Sequence, residues 1–304
     1  MTKVAVLMGG ISKERDISLK TGAAIAGALE RLGHEVSRID VTGADFIQAL
    51  IQKKVDLAFI ALHGRYGEDG SIQGVLEWLK IPYTGSSIKV SSLCFDKLAT
   101  KVFLSSFQVP TPGYRVFKRG ENIDLFVSGF DIPLPVIVKP NTEGSTIGIS
   151  RVFKSDELMP ALQEALKFDK VVLIEQYIQG REVTVGVLDG KALPIIEVKP
   201  KGGFYDFASK YTKGATEYFV PAPLDESLAK KLVQLGEFIY NSLECAGAVR
   251  ADFMIDSDNN PYFLEVNTIP GMTETSLLPK AAACVGISFE NLCEQILSGA
   301  KLKV

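Results

Sequence analysis

Apolar and polar positions alternate in blocks along the first ninety residues. Lys3–Met8 is a short β-rich run that ends in Gly9-Gly10. Thr21–Leu32 then carries Ala24, Ile25, Ala28, Leu29 and Leu32 at helical spacing, and Gly33 closes it. Glu35–Val41 and Val55–Leu62 read as further strands. Strand, helix, strand is a βαβ pattern, which assembles as a parallel sheet with right-handed crossovers.

The pattern changes near residue 95. Asp96 is placed to N-cap a helix from Lys97 to Gln108, and Pro110-Thr111-Pro112-Gly113 stops it. Beyond Pro133 and Pro135, the β-rich runs Val136–Lys139, Gly148–Phe153 and Val171–Tyr177 flank a helix over Ser155–Lys167. Val183–Lys199 reads as a strand, a turn at Asp189-Gly190 and another strand. Lys199–Phe219 mixes glycines, aromatics and lysines without a period, which marks a functional loop. Glu226–Leu243 places Leu228, Leu232, Leu235 and Ile239 on one helical face. Ala248–Ile255 and Tyr262–Asn267 form a hairpin, and Phe289–Leu297 a last helix. The expected architecture is an α/β domain with a parallel sheet over 1–95, followed by α+β units over 96–182 and 183–304.

Composition narrows the class. The chain has 304 residues, 46% hydrophobic and 23% charged, enough to bury a core without staples. A formal net charge of −3 argues against nucleic acid as a partner. Cys94, Cys245, Cys284 and Cys293 form no CxxC pair, so buried free thiols are expected. Only His34 and His63 are present, which excludes a three-histidine site. No stretch approaches the ~20 apolar residues of a membrane span, and Val4–Met8 is too short for a signal-peptide core. A soluble, cytoplasmic protein is expected.

The hairpin carries the strongest candidate chemistry. Strand side chains alternate, so Arg250 shares a face with Asp252, and Glu265 with Asn267. A two-residue turn at Asp258-Asn259 sets Asp252 opposite Glu265 and Arg250 opposite Asn267, with Cβ atoms ~5 Å apart. Two carboxylates and an amide oxygen are hard ligands of the magnesium type. A surface hairpin whose Asp, Arg and Glu merely pair is the equal alternative. Lys139 ends a strand before Asn141-Thr142-Glu143-Gly144-Ser145-Thr146, where N–H groups, hydroxyls and one ammonium suit phosphate; an ordinary hairpin turn is the simpler alternative. Gly9-Gly10 and the His63–Gly70 run are glycine loops at strand ends, where α/β proteins bind ligands. Spacing alone favours Glu14 as a helix-start charge, and His63 as a hydrogen-bonded structural residue over a catalytic one. Glu175–Glu182 suits a connector that meets a nucleobase and ribose, or a plain bend; spacing does not choose.

Together these segments resemble the D-alanine–D-alanine ligases of the ATP-grasp superfamily. The resemblance rests on Gly9-Gly10…Glu14-Arg15, His63-Gly64-Arg65…Gly67-Glu68-Asp69-Gly70, Asp96-Lys97-Leu98 and Lys139-Pro140…Glu143-Gly144-Ser145. It continues through Glu175…Glu182, Ser209-Lys210-Tyr211, Arg250-Ala251-Asp252, Leu264-Glu265-Val266-Asn267-Thr268 and Pro270-Gly271-Met272-Thr273…Ser276-Leu277. It implies a three-part ATP-grasp architecture and ATP-dependent joining of two D-alanines through an acyl phosphate, for peptidoglycan synthesis. By the resemblance, Lys97, Lys139, Glu175, Tyr177, Ile178 and Glu182 contact ATP. Asp252, Glu265 and Asn267 hold two magnesium ions, with manganese as an alternative. Arg250 and the Gly271 backbone stabilise the oxyanion. Glu14, with His63 nearby, binds the first D-alanine; Ser276 and Leu277 bind the second carboxylate. Ser145 and Tyr211 link to Glu14, Lys210 meets phosphate, and Tyr211 favours a dipeptide product. A homodimer is implied. Asn141-Thr142 and Tyr66 depart from the pattern of many relatives. A two-metal phosphohydrolase would leave the Lys139 and Glu175 segments without a role. A silent ATP-binding regulator would be favoured by loss of Arg250 or a metal carboxylate, none of which is lost. Another ATP-grasp amino-acid ligase or a carboxylase is the closest competing reading, against which the Glu14 and Tyr211 matches weigh.

Overall fold

The computed structural model describes residues 1–202, 212, 214–273 and 275–304. Three sheets organise them. In the first, β1 (Lys3–Met8) lies between β2 (Glu35–Asp40) and β3 (Leu57–Ile60), all parallel, as the βαβ pattern requires. Val4, Ala5, Val6 and Leu7 are fully buried because helices cover both faces of this sheet. The helix after β1 spans Arg15–Arg31, a turn and a half earlier than its apolar spacing begins, so Glu14 stands at its N-cap. Its early polar residues Ser18 and Thr21 are buried, bonded to Ala61 O at 2.7 Å and to His63 at 3.1 Å.

The second sheet runs in the order β4 (Tyr114–Lys118), β7 (Val171–Gln176), β5 (Val136–Pro140), β6 (Ser150–Val152), all antiparallel. Asp96 does cap the helix Lys97–Ser105, accepting from Ala99 N at 2.8 Å. That helix ends three residues short of Gln108, which takes φ +58° in the turn that follows. The Ser155–Lys167 segment is a 3-10 turn over Ser155–Glu157 and a helix over Leu158–Ala165, whose Leu158, Ala161, Leu162 and Ala165 pack on this sheet.

The third sheet is ordered β11 (Thr216–Phe219), β10 (Ile196–Pro200), β8 (Arg181–Leu188), β12 (Ala248–Ile255), β13 (Pro261–Asn267), with β9 (Lys191–Ala192) beside β8. The helix Glu226–Ser242 covers it through Leu228, Leu232 and Ile239. Gly180 links the second and third sheets: a Cβ there would stand 1.8 Å from the Ile255 carbonyl oxygen, so only glycine fits the crossing. Cys94, Cys245 and Cys293 are buried free thiols, whereas Cys284, at the end of the helix Leu277–Cys284, is exposed, contrary to the expectation for all four. Among the described residues no helix is long and apolar enough to cross a membrane.

Candidate active site

The hairpin has the expected register by an unexpected route. Arg250 pairs with Asn267 and Asp252 with Glu265. The turn, however, has three residues: Asp256 N donates to Asn260 O at 3.1 Å, and Asn259 takes a left-handed φ of 62°. Asp256 Oδ1 stabilises it by accepting from Asp258 N and Asn260 N at 2.9 and 2.8 Å. A third turn residue shifts the pairing by one, and a bulge between Asp252 and Phe253 shifts it back.

Asp252 is the hub of this face. Arg250 donates to both its oxygens at 2.8 Å, Thr184 on β8 to Oδ1 at 2.6 Å, and Asn267 Nδ2 to Oδ2 at 3.2 Å. Glu265 lies 3.2 Å from Lys97 Nζ. Turning the Asn267 amide would present its oxygen instead. The set then offers two carboxylates and one amide oxygen on one sheet face. That chemistry fits magnesium or manganese and lacks the nitrogen and sulfur donors of a zinc site.

A second charged cluster lies behind it. Glu175 on β7 is 2.7 Å from Lys139 Nζ on β5 and 3.0 Å from Lys101 Nζ on the helix Lys97–Ser105. Burial pushes the Lys101 ammonium down to about 8, helped by Lys139 and opposed by Glu175. Burial works to raise the Glu175 carboxyl, but Lys101 and Lys139 outweigh it and hold it below its usual range. Two cations on one carboxylate leave this interior with net positive charge. Lys97 joins the clusters: its Nζ donates to Glu143 O at 2.7 Å and lies beside Glu265. Burial opposes its charge, yet Glu265, Glu68 and Glu175 together raise its pKa. A small cleft opens beside Lys97, lined by Glu68, Glu143, Gly144, Glu265 and Asn267.

The connector segment follows the Glu175 cluster. Tyr177 N donates to Pro135 O at 3.1 Å, and its ring lies 6.5 Å from that of Phe153. Ile178 is buried, and Glu182 pairs with Met254 and Val198 on the adjoining strands.

Glu14 is enclosed by two glycine loops. A Cβ at Gly64 or Gly144 would stand 2.9 or 2.8 Å from its Oε2. Ser145 Oγ donates to Glu14 Oε1 across loops 131 residues apart in sequence. Burial, reinforced by Glu14, pushes the Glu68 carboxyl well above the ordinary range, although Gly64 N donates to it at 2.7 Å. His63 is buried and bonded to Thr21 Oγ1 at 3.1 Å. Burial, with Arg250 adding repulsion, pushes it down to about 4, so it is neutral at pH 7. Ser276 N-caps the helix Leu277–Cys284; its Oγ accepts from Thr273 N at 3.0 Å and sits 3.2 Å from the position a Gly271 Cβ would take. Lys210 and Tyr211 lie outside the described residues.

Three groups in this constellation escape motif reading. Lys101 follows Lys97 by one helical turn, so i, i+4 spacing was an available signal. Glu68 stands in the quoted Gly67–Gly70 loop but has no marker of its own. Thr184 reaches Asp252 only through the pairing of β8 with β12, which local sequence does not report.

The family profile for the D-ala D-ala ligase C-terminus matches residues 103–298, and that for the N-terminus residues 43–86. The chain is 56% identical to a D-alanine–D-alanine ligase of Syntrophotalea carbinolica, covering 99% of this chain and 97% of that one. It is 48% identical to one from Anaeromyxobacter dehalogenans at the same coverage. Among solved structures, a D-alanine–D-alanine ligase from Bacillus anthracis complexed with ATP superposes at a TM-score of 0.83, with 36% identity over 98% of this chain and 97% of that one. The VanG D-Ala:D-Ser ligase from Enterococcus faecalis superposes at 0.84, with 28% identity over 98% of each chain. The parallel and antiparallel sheets are those of the ATP-grasp fold, and the chain belongs to the D-alanine–D-alanine ligase family.

Proposed function

We propose that this chain joins two D-alanines into D-alanyl-D-alanine at the expense of ATP, in the cytoplasm, for peptidoglycan precursors. The observation that carries the reading is Lys97, which touches both the Glu143 carbonyl of the loop after β5 and the Glu265 carboxylate. One ammonium thereby joins a phosphate-type loop to a metal-type carboxylate face. Transfer of a phosphoryl group to a carboxylate asks for charge neutralisation and alignment, with no side-chain nucleophile.

In this reading Lys97 and Lys139 neutralise the triphosphate, while Glu175, Tyr177, Ile178 and Glu182 line the nucleoside. Asp252, Glu265 and Asn267 would hold magnesium, which when bound draws charge from the phosphate oxygens. Glu14, fixed by Ser145, holds the ammonium of the first D-alanine, with neutral His63 on the same side. A carboxylate oxygen of that D-alanine forms a bond to the γ-phosphorus as ADP leaves with the bonding pair. The deprotonated amine of the second D-alanine then attacks the acyl carbon, and phosphate departs. Arg250, its guanidinium plane set by Asp252, and the Gly271 N–H face the developing oxyanion. The Ser276 hydroxyl and Leu277, at the start of the helix Leu277–Cys284, suit the second carboxylate. Lys210 and Tyr211 are assigned to phosphate and to Glu14. A homodimer is the proposed assembly.

Purified protein with Mg-ATP and D-alanine is expected to form D-alanyl-D-alanine, and L-alanine none. Phosphate release without dipeptide would overturn the assignment.

A further inference from the structure

The loop after β5 reaches both halves of the site, and something must hold it. Glu143 O receives Lys97, and Ser145 reaches Glu14. Ser145 and Thr146 both take left-handed φ values, 50° and 63°, without being glycine. Such backbone persists only where its surroundings over-determine it. The restraint at the root of the loop is Asp169, in the turn between the helix Leu158–Ala165 and β7. Its carboxylate is buried and accepts four hydrogen bonds. Oδ2 takes Thr142 N and Thr142 Oγ1, both at 2.7 Å; Oδ1 takes Lys170 N at 2.6 Å and Val171 N at 3.2 Å.

The Thr142 hydroxyl also works in the other direction. It accepts from Arg65 Nη2 at 3.0 Å while donating to Asp169. Arg65 belongs to the His63–Gly70 loop of the first sheet, and its Nε lies 3.3 Å from Glu143 Oε1. One hydroxyl therefore ties together the substrate-side loop, the phosphate-type loop and the turn before β7. Only a side chain that is donor and acceptor at once can do so.

We propose that Asp169, with Thr142 as its relay to Arg65, is a positioning residue: it sets the loop so that Glu143 O meets Lys97 and Ser145 meets Glu14. The inference rests on the ligase reading. Its prediction differs from that of a merely structural anchor, because a misplaced loop disturbs ATP and the first D-alanine together. Asp169→Asn keeps the shape but turns an amide N–H toward one pair of donors. Thr142→Val keeps the shape and removes the relay, and Thr142→Ser restores it.

The test is steady-state ligation by the full chain, with wild type alongside. Wild-type dipeptide formation checks the ligase reading separately. Asp169→Asn and Thr142→Val are each expected to raise KM for ATP and for the first D-alanine by about tenfold, the scale of one charge-assisted hydrogen bond. Thr142→Ser is expected to stay within about twofold of wild type, as a retained hydroxyl keeps that bond. Combining Thr142→Val with Ser145→Ala should cost less than the two separate effects together, since both act on one contact. Unchanged constants in Thr142→Val, full additivity with Ser145→Ala, or failure of Thr142→Ser to restore them would overturn the proposal. Should Asp169→Asn not fold, the Thr142 pair decides alone.

Discussion

The Lys101–Glu175–Lys139 cluster and the Arg250–Asp252–Glu265–Asn267 face are both ionic, yet they are built differently. In the first, side-chain exposure is 0% for Lys101, 3% for Glu175 and 7% for Lys139, and two cations close on one carboxylate. In the second, exposure rises to 19% for Arg250, 12% for Asp252 and 26% for Glu265, and carboxylates outnumber cations. Buried charge is costly unless matched. The first cluster is a fixed positive wall; the second is a partly open oxygen-rich face. Lys97 stands between them, and a polyanion with its counter-ion fits where the two surfaces meet.

The largest expected effect breaks the open face. Glu265→Ala should lower kcat by at least ~10²-fold, the scale of one preorganised charge at a transition state, while thermal unfolding stays close to wild type. Wild-type turnover would remove Glu265 from the metal set. The closed wall should respond the other way round. Lys139→Ala removes one of the two ion pairs to Glu175 but leaves Lys101 to balance it. It should therefore cost less than the ~3 kcal/mol of losing a sole buried partner in urea unfolding. Its KM for ATP should rise as well; unchanged stability would mean the cluster is not closed.

Protonation sharpens the comparison from the substrate side. His63 falls from the ordinary 6.5 to about 4 in the fold, so between those values the unfolded chain binds the proton and the folded chain does not. Its contribution to stability is complete above pH 6.5 and is lost as pH falls to 4, by up to about 3 kcal/mol. Denaturant titrations across that window should flatten in His63→Gln. The smallest effect lies at the helix that presents Lys97: Asp96→Ala removes the N-cap to Ala99 and should cost about 1 kcal/mol in thermal unfolding. A Tm equal to wild type would contradict that role.

What the chain reveals locally and what it hides follow from the range of the interactions. Alternation along β12 and β13 shows which side chains share a face, because that rule is local. The three-residue turn and the bulge are invisible to it, and the expected pairing survives because their shifts cancel. β4 goes unread because YRVFK is short, carries two charges at Arg115 and Lys118 and follows a Pro-Gly stop, although its Phe117 is buried. The helix Ile88–Phe95 is likewise masked by its serines, yet Ser87 caps it by accepting from Val90 N at 3.3 Å. Asp169 and Thr184 look like ordinary polar residues in sequence, and their roles exist only once distant segments meet.

The central claim is that both clusters act on one phosphoryl group passing from ATP to a carboxylate. D-alanine labelled with ¹⁸O in its carboxyl group tests it directly, by mass analysis of the phosphate released during dipeptide formation. One labelled oxygen per phosphate, appearing in step with D-alanyl-D-alanine, is the predicted result. Unlabelled phosphate released alongside dipeptide would contradict an acyl phosphate, and with it the account of how the two clusters work together.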